Sequence, residues 1–283
     1  MPRERVAALG IGTLAVVAGG FSLLLVGAPV GLAVRNLIAF AAGIGLGCLG
    51  QFLQPRETAF WPRFVLTCLM LSLVLIVGTT IGGVSRWLDF GLFTLQPGLI
   101  LLPTLLTTLS QDHTGWRRAA LLLAVILIAF QPDAATLTAL ALAMTVMLRV
   151  NVKPPALVTA LIAVAFSLGA WLTLRNPDPV AFVEGTVQLA VQHGAVAIAV
   201  HAATMVLMLA PFLIVRKNGG LENFTFFALL ALAGVVAAFP MPLAGSAVSP
   251  LVGYGAALAL LTIPVRSRFA APFRRAQAAS TSI

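Results

Sequence analysis

Charge is what this chain of 283 residues has least of: only 9% of its residues are Asp, Glu, Lys or Arg, against about 25% in a soluble domain. So few charges cannot coat a water-facing surface of this size. A soluble globular enzyme is excluded, and the 60% of hydrophobic residues exclude a disordered chain. Cysteine is nearly absent. Cys48 and Cys68 each lie inside an apolar run, without metal-ligand spacing, and read as small buried hydrophobes. Histidine is scarce too, and no carboxylate stands where it would complete a metal site with His193 and His201. There is no glycine-rich phosphate loop followed by Lys, no Gly-x-Ser-x-Gly, no His-Glu-x-x-His and no Cys-x-x-Cys.

What is present is a succession of apolar runs with short polar punctuation. About 20 such residues span a bilayer as a helix. The runs cover 6–27, 31–53, 64–84, 97–110, 118–131, 133–149, 154–174, 186–215, 223–239 and 250–265, which predicts an all-α integral membrane protein of about ten transmembrane helices. Residues 1–265 form one polytopic domain, and 266–283 a basic cytoplasmic tail without fixed structure. Arg3 and Arg5 resemble the start of a signal peptide. The run behind them is too long and lacks a cleavage site, so it reads as a retained first span.

The net charge of +9 does not point to nucleic acid, because the basic residues recur on alternate loops. With a cytoplasmic N-terminus, 14 of the 17 basic residues fall on inner segments and only Arg35, Arg86 and Arg175 on outer ones. That bias predicts an even number of spans and both termini in the cytoplasm.

Ionisable groups at membrane depth are the default functional candidates, because burying charge in hydrocarbon is costly. After the third run, residues 83–97 form an amphipathic, aromatic outer loop holding Arg86, Asp89 and Gln96, read as an interfacial re-entry. Asp133, in Gln131-Pro132-Asp133, suits the N-cap of the sixth helix. The most charged outer loop runs from Arg175 through Asp178 to Glu184. Glu184, Gln188 and Gln192 then follow at helical spacing, with His193 and His201 as a second polar row. This seam reads either as the wall of an internal cavity or as hydrogen bonding between helices.

The order of the punctuation is itself informative. Arg86-Trp87-Leu88-Asp89-Phe90-Gly91 leads to Phe93-Thr94-Leu95-Gln96-Pro97, then to Gln131-Pro132-Asp133. Pro240-Met241-Pro242-Leu243-Ala244-Gly245 and Pro250-Leu251-Val252-Gly253-Tyr254-Gly255 close the series. From about residue 80 to 265 this resembles the SEDS family (shape, elongation, division and sporulation; the FtsW/RodA/SpoVE type), as a divergent and shortened member. The resemblance implies a bundle of ten spans in the bacterial cytoplasmic (inner) membrane and a role in peptidoglycan synthesis during cell division or shape maintenance. It implies polymerisation of glycan strands from lipid II, or another polyprenyl-linked glycan, beside a class B penicillin-binding protein.

Transfer of a glycosyl group needs a base and cations for the diphosphate leaving group. The outer side offers Asp89, Asp133, Asp178 or Glu184 as the base and Arg35, Arg86 or Arg175 for the phosphates; for a family member, Glu184 or Asp178 is taken as the catalytic base and Arg86 and Arg175 as the phosphate contacts. Gln96, Asp133 and Gln188 complete the substrate site, and a divalent cation is its only implied cofactor. The chain departs from the family where Gln-Pro-Ser-Glu and a following Lys are expected. It has Gln96-Pro97-Gly98-Leu99-Ile100-Leu101-Leu102, and both charged residues have become Leu. The family's His-Thr-Asp-Phe context is missing as well. The alternatives are a non-catalytic partner or regulator of envelope synthesis, and a transporter of a small or lipid-linked solute.

Overall fold

The computed structural model describes residues 1–53, 59–81, 84–91, 93–109, 115–149, 152–173, 180–237 and 239–264. Arg175, Asp178 and the tail 266–283 lie outside these. The helices follow the order of the apolar runs: α1 (Arg3–Leu25), α2 (Val30–Leu53), α3 (Phe60–Val77), α4 (Pro97–Leu109), α5 (Trp116–Ala129), α6 (Ala134–Leu148) and α7 (Pro154–Leu172), then α8 (Thr186–Gln192), α9 (Ala195–Ile214), α10 (Leu221–Val236) and α11 (Val248–Thr262). Six helical segments among the described residues are long and apolar enough to cross a membrane: α1, α2, α3, α7, α9, and α10 with the turn before it. Their outward faces carry large apolar side chains that water would not tolerate, such as Ile76 at 78% and Leu172 at 88% exposure. Lipid is the solvent that suits such a surface.

Of the shorter helices, α4, α6 and α11 are the most buried. In α11 every residue from Ser249 to Thr262 is buried, because its neighbours present glycine to it. Gly43 and Gly47 of α2 lie against the backbone of Val252 and Ala256, and Gly253 of α11 lies against the Leu99 carbonyl of α4. With no hydrophobic effect between helices in lipid, such close backbone approach supplies the packing.

Two features differ from the expectation. The outer loop after α3 is a small antiparallel sheet of β1 (Thr79–Ile81), β2 (Val84–Asp89) and β3 (Thr94–Leu95), in that order across the sheet. Thr79 faces Trp87, and Leu88 faces Leu95. Pairing the strands satisfies backbone groups that an irregular loop at membrane depth would leave bare. At the hairpin tip the Gly91 N–H donates to Asp89 Oδ1 at 2.8 Å, so Asp89 closes a turn.

The eighth run is also broken. His193 ends α8, Gly194 takes φ +90°, and α9 starts afresh. The two histidines therefore do not share a helix. His193 is exposed, whereas His201 is buried with Nδ1 3.4 Å from Ser22 Oγ of α1. For His201, hydrogen bonding between helices is the reading that fits.

The connections group at two ends. Arg118, Arg149 and Glu222 belong to one: Arg149 Nη2 lies 3.6 Å from the buried Glu222 carboxylate, and Arg118 Nη1 donates to the Met147 carbonyl at 3.1 Å. These are residues of the inner side by the charge bias. The α1–α2, α3–α4, α5–α6, α7–α8 and α10–α11 connections meet at the other end, as the contacts below establish.

Candidate functional site

At the outer end, β2 carries Arg86 inward. Its residues alternate between buried and more exposed, as a strand with one covered face must. Arg86 is only 1% exposed. Its Nη2 donates to Glu184 Oε1 at 3.0 Å, and Nη1 lies 3.8 Å from Asp133 Oδ1. The guanidinium also sits 4.4 Å from the Trp87 ring centre and 5.0 Å from that of Phe239. Planar, always charged and forked, an Arg side chain meets two carboxylates and two aromatic faces at once.

Asp133 does what its place before α6 predicts. Oδ1 accepts the Thr136 N–H at 3.2 Å, capping the helix. Oδ2 accepts from Gln96 Nε2. The Gln96 backbone N–H donates to Ser249 Oγ at 2.7 Å, which ties the start of α4 to the start of α11. Replacing Ser249, 4% exposed, by Ala leaves that buried N–H without its acceptor. The expected cost is about 1–2 kcal/mol, seen as a fall of a few degrees in the unfolding temperature of the protein in detergent.

Glu184 sits in the turn before α8. Its Oε2 accepts the Val180 N–H at 3.2 Å, while Oε1 holds Arg86. Burial pushes the Glu184 carboxyl above the usual carboxylate range; the Val180 N–H and the Arg86 charge pull the other way without cancelling it. This turn is braced by the loop before α11. Met241 N–H donates to the Val183 carbonyl at 3.1 Å, and Ser246 N–H to the Phe182 carbonyl at 2.6 Å. Each of the two loops holds one bulky residue in the left-handed region, Phe182 at φ +62° and Leu243 at φ +58°. Such strain persists only where surrounding contacts over-determine it, and it clusters at functional sites.

Above this network lies a cleft of about 150 Å³, bordered by Arg35, Trp87, Gln96, Val183 and Ser249. Arg35 Nη2 donates to the Ser246 carbonyl at 2.6 Å, and Asn36 Nδ2 to the Gly245 carbonyl at 2.9 Å. The start of α2 is thereby pinned to the same loop.

Of the residues named from sequence, Arg86, Gln96, Asp133 and Glu184 come together. Gln188 does not: it is exposed on α8, as is Gln192. The seam from Glu184 fails because helical spacing holds only inside a helix. Glu184 belongs to the preceding turn, and α8 begins at Thr186. Arg35 and Ser249 join instead. Arg35 was legible as one of three outer cations; nothing in the pattern marked Ser249. Among the described residues no three His, Cys, Asp or Glu side chains gather as a metal site.

The sequence model of the FtsW/RodA/SpoVE family, described as cell cycle proteins, matches residues 5–184, well over half of the chain. The chain belongs to this family. It is a multi-pass membrane protein with the family's fold. The rod shape determining protein RodA of Thermus thermophilus superposes with a TM-score of 0.62 over 90% of this chain and 94% of that one, at 20% identity. An aspartate-to-alanine variant of that RodA gives 0.63 at 19% identity, covering 90% and 95%. A chain from a peptidoglycan synthase complex that coordinates polymerization and crosslinking gives 0.58 at 18%, covering 90% and 96%. No curated protein matches the sequence. The family match ends at Glu184, and the Pro-rich closing loop lies beyond it; there the likeness is one of fold.

Proposed function

We propose that this chain is a RodA-like protein of peptidoglycan synthesis in the bacterial cytoplasmic membrane, and that its outer cleft takes the diphosphate end of lipid II or a related polyprenyl-linked glycan. The observation that carries this reading is a convergence. Arg35, Arg86, Gln96, Asp133 and Glu184 come from four separate connections to one place, on the side the charge bias assigns as outer. Family membership supplies the chemistry. In that reaction a sugar hydroxyl attacks the anomeric carbon of the lipid-linked glycan, the bond to the diphosphate breaks, and the hydroxyl proton goes to a base.

Glu184 is the proposed base. Burial raises its pKa above the usual carboxylate range, which makes it a stronger base once Arg86 yields Oε1. Arg35, at the cleft's edge, is placed to meet the diphosphate, with Arg86 behind it stabilising the charge that develops. Asp178 and Arg175, on the same connection but outside the described residues, are the alternates for these two roles. A class B penicillin-binding protein is the proposed partner.

In a lipid II polymerisation assay with the purified full chain, Glu184→Gln is expected to lower the rate about a hundredfold while the protein still folds. A base must be ionised, and burial raises this one. The acid limb of the wild-type pH profile is therefore expected above the ordinary glutamate range. Full activity in Glu184→Gln, Asp178→Asn and the double variant would refute the assignment of the base.

A second reading has its own support. Where the family has Glu and Lys, the start of α4 has Leu, and Leu99 and Leu102 are buried in the core. Both Glu184 oxygens are also engaged. This favours a non-catalytic partner that keeps the fold and the cleft. A wild-type chain that makes no glycan yet co-purifies with a penicillin-binding protein would establish it.

A further inference from the structure

The inner end of the molecule holds a cavity of about 520 Å³ that the outer chemistry does not use. Arg5, from the first turn of α1, and Arg216 and Lys217, from the turn between α9 and α10, stand around it. Leu213 and Leu261 add an apolar lining, and Glu4 is the one carboxylate among the side chains that border it. The balance at the cavity is three cations to one acid. None of the three cations is in an ion pair among the described residues, whereas Arg86 and Arg149 both are. The turn that carries Arg216 and Lys217 has a fixed shape. Asn218 takes φ +58° and Gly219 φ +103°, and Asn223 Nδ2 holds the Gly219 carbonyl at 2.9 Å.

Cations on inner loops are what topology alone requires. That rule explains their side of the membrane. It does not explain why residues more than 200 positions apart in the chain surround one hollow that Leu213 and Leu261 also border, large enough for a headgroup, at the ends of α1, α9 and α11. A phosphate that carries acyl chains meets both demands. Its charge faces unpaired Arg and Lys, and its glycerol and first methylenes face leucine.

We propose that this inner cavity is a binding site for a phosphate-bearing anion, with the headgroup of an acidic phospholipid of the inner leaflet as its occupant. The inference does not rest on the function proposed for the outer cleft. Inorganic phosphate shares the charge but lacks the acyl chains, so the two sources separate by experiment.

The test is native mass spectrometry of the full chain released from nanodiscs of equal phosphatidylglycerol and phosphatidylcholine. Retained phosphatidylglycerol is compared for wild type, for the cavity variant Arg216→Gln/Lys217→Gln, and for Arg117→Gln/Lys153→Gln, which removes two inner cations on segments that do not border the cavity. The wild type and the control are expected to keep a preference of several-fold for phosphatidylglycerol, and the cavity variant to lose it. Equal loss in both variants would show generic attraction to basic loops and overturn the site, as would retained preference in the cavity variant. In a second arm, unfolding temperature in neutral detergent is read with millimolar phosphate and with phosphatidylglycerol. A rise with the lipid alone, absent from the cavity variant, supports the lipid occupant. An equal rise with phosphate supports the anion site and assigns it to the free ion. No rise with either overturns the proposal. The cavity variant should elute as a monodisperse species, since Arg216 and Lys217 are exposed. Should it aggregate, Lys217→Gln alone, read in both arms, decides in the same way.

Discussion

Arg86→Met is expected to be the most destabilising single substitution at the outer site, by about 3–5 kcal/mol. The cost does not come from the lost attraction alone. Arg86, Asp133 and Glu184 are all at most 3% exposed, and removing the cation leaves two carboxylates with nothing to balance them. The expected observation is a fall of roughly 10 °C or more in the unfolding temperature in detergent. Arg86→Lys should recover only part of it. A point charge on a flexible stem cannot serve both carboxylates while filling the space between Trp87 and Phe239.

The pH dependence of the variant separates charge from packing. A carboxyl whose pKa is raised by burial, as that of Glu184 is, favours the folded state at low pH and opposes it once pH rises through its folded value. Without Arg86 this penalty grows. The deficit of Arg86→Met should therefore narrow as the pH is lowered and Glu184 takes up a proton. A deficit that is the same at every pH would show that the loss is one of packing. Adding Glu184→Gln to Arg86→Met should cost far less than the sum of the two single changes, since the pair is in contact.

How much of this was legible follows from what each signal measures. Apolar runs report burial in lipid or core, and they placed the helices in order. They could not reveal the break at Gly194, because Gln188, Gln192 and His193 before it also fit polar rows on one continuous helix. The outer loop of 83–97 read as amphipathic, which is what a paired strand and a helix end have in common. Only the register of Thr79 with Trp87 makes it a sheet that turns Arg86 inward.

Site residues that were charged and punctuated the runs, Arg86, Asp133 and Glu184, stood out because charge is so rare here. Gln96 stood out through its motif. Ser249 and the brace between residues 180–185 and 240–247 did not, since a serine and backbone amides carry no special pattern. The buried pair of Arg149 with Glu222 was hidden in a different way: both residues counted only as inner charges, and their meeting depends on how α6 packs against α10.

Gly253→Ala puts that packing to a sign test. Ala is a better helix former than Gly by about 1 kcal/mol, so propensity alone predicts that α11 gains stability. Contact predicts the reverse. A Cβ at residue 253 would overlap the Leu99 carbonyl oxygen and lie 3.2 Å from Ile100 Cα, and both are backbone atoms of α4 that no rotamer change can move. Overpacking of a tight core costs about 1–3 kcal/mol per inserted group, and a backbone collision belongs at the top of that range. A net loss of about 2 kcal/mol is expected, with Gly253→Val yielding little folded protein. Gly45 on α2 is the matched control: it is exposed and has open space where a Cβ would go. There the same substitution should be neutral or stabilising by up to about 1 kcal/mol. Displacing α4 also moves Gln96, which hydrogen-bonds both Ser249 and Asp133. The Gly253 variant should therefore lose function at the outer cleft beyond what its stability predicts, while the Gly45 variant keeps it. Equal effects at the two glycines would mean that α4 and α11 do not meet as described, and the link from helix packing to the outer cleft would fail with them.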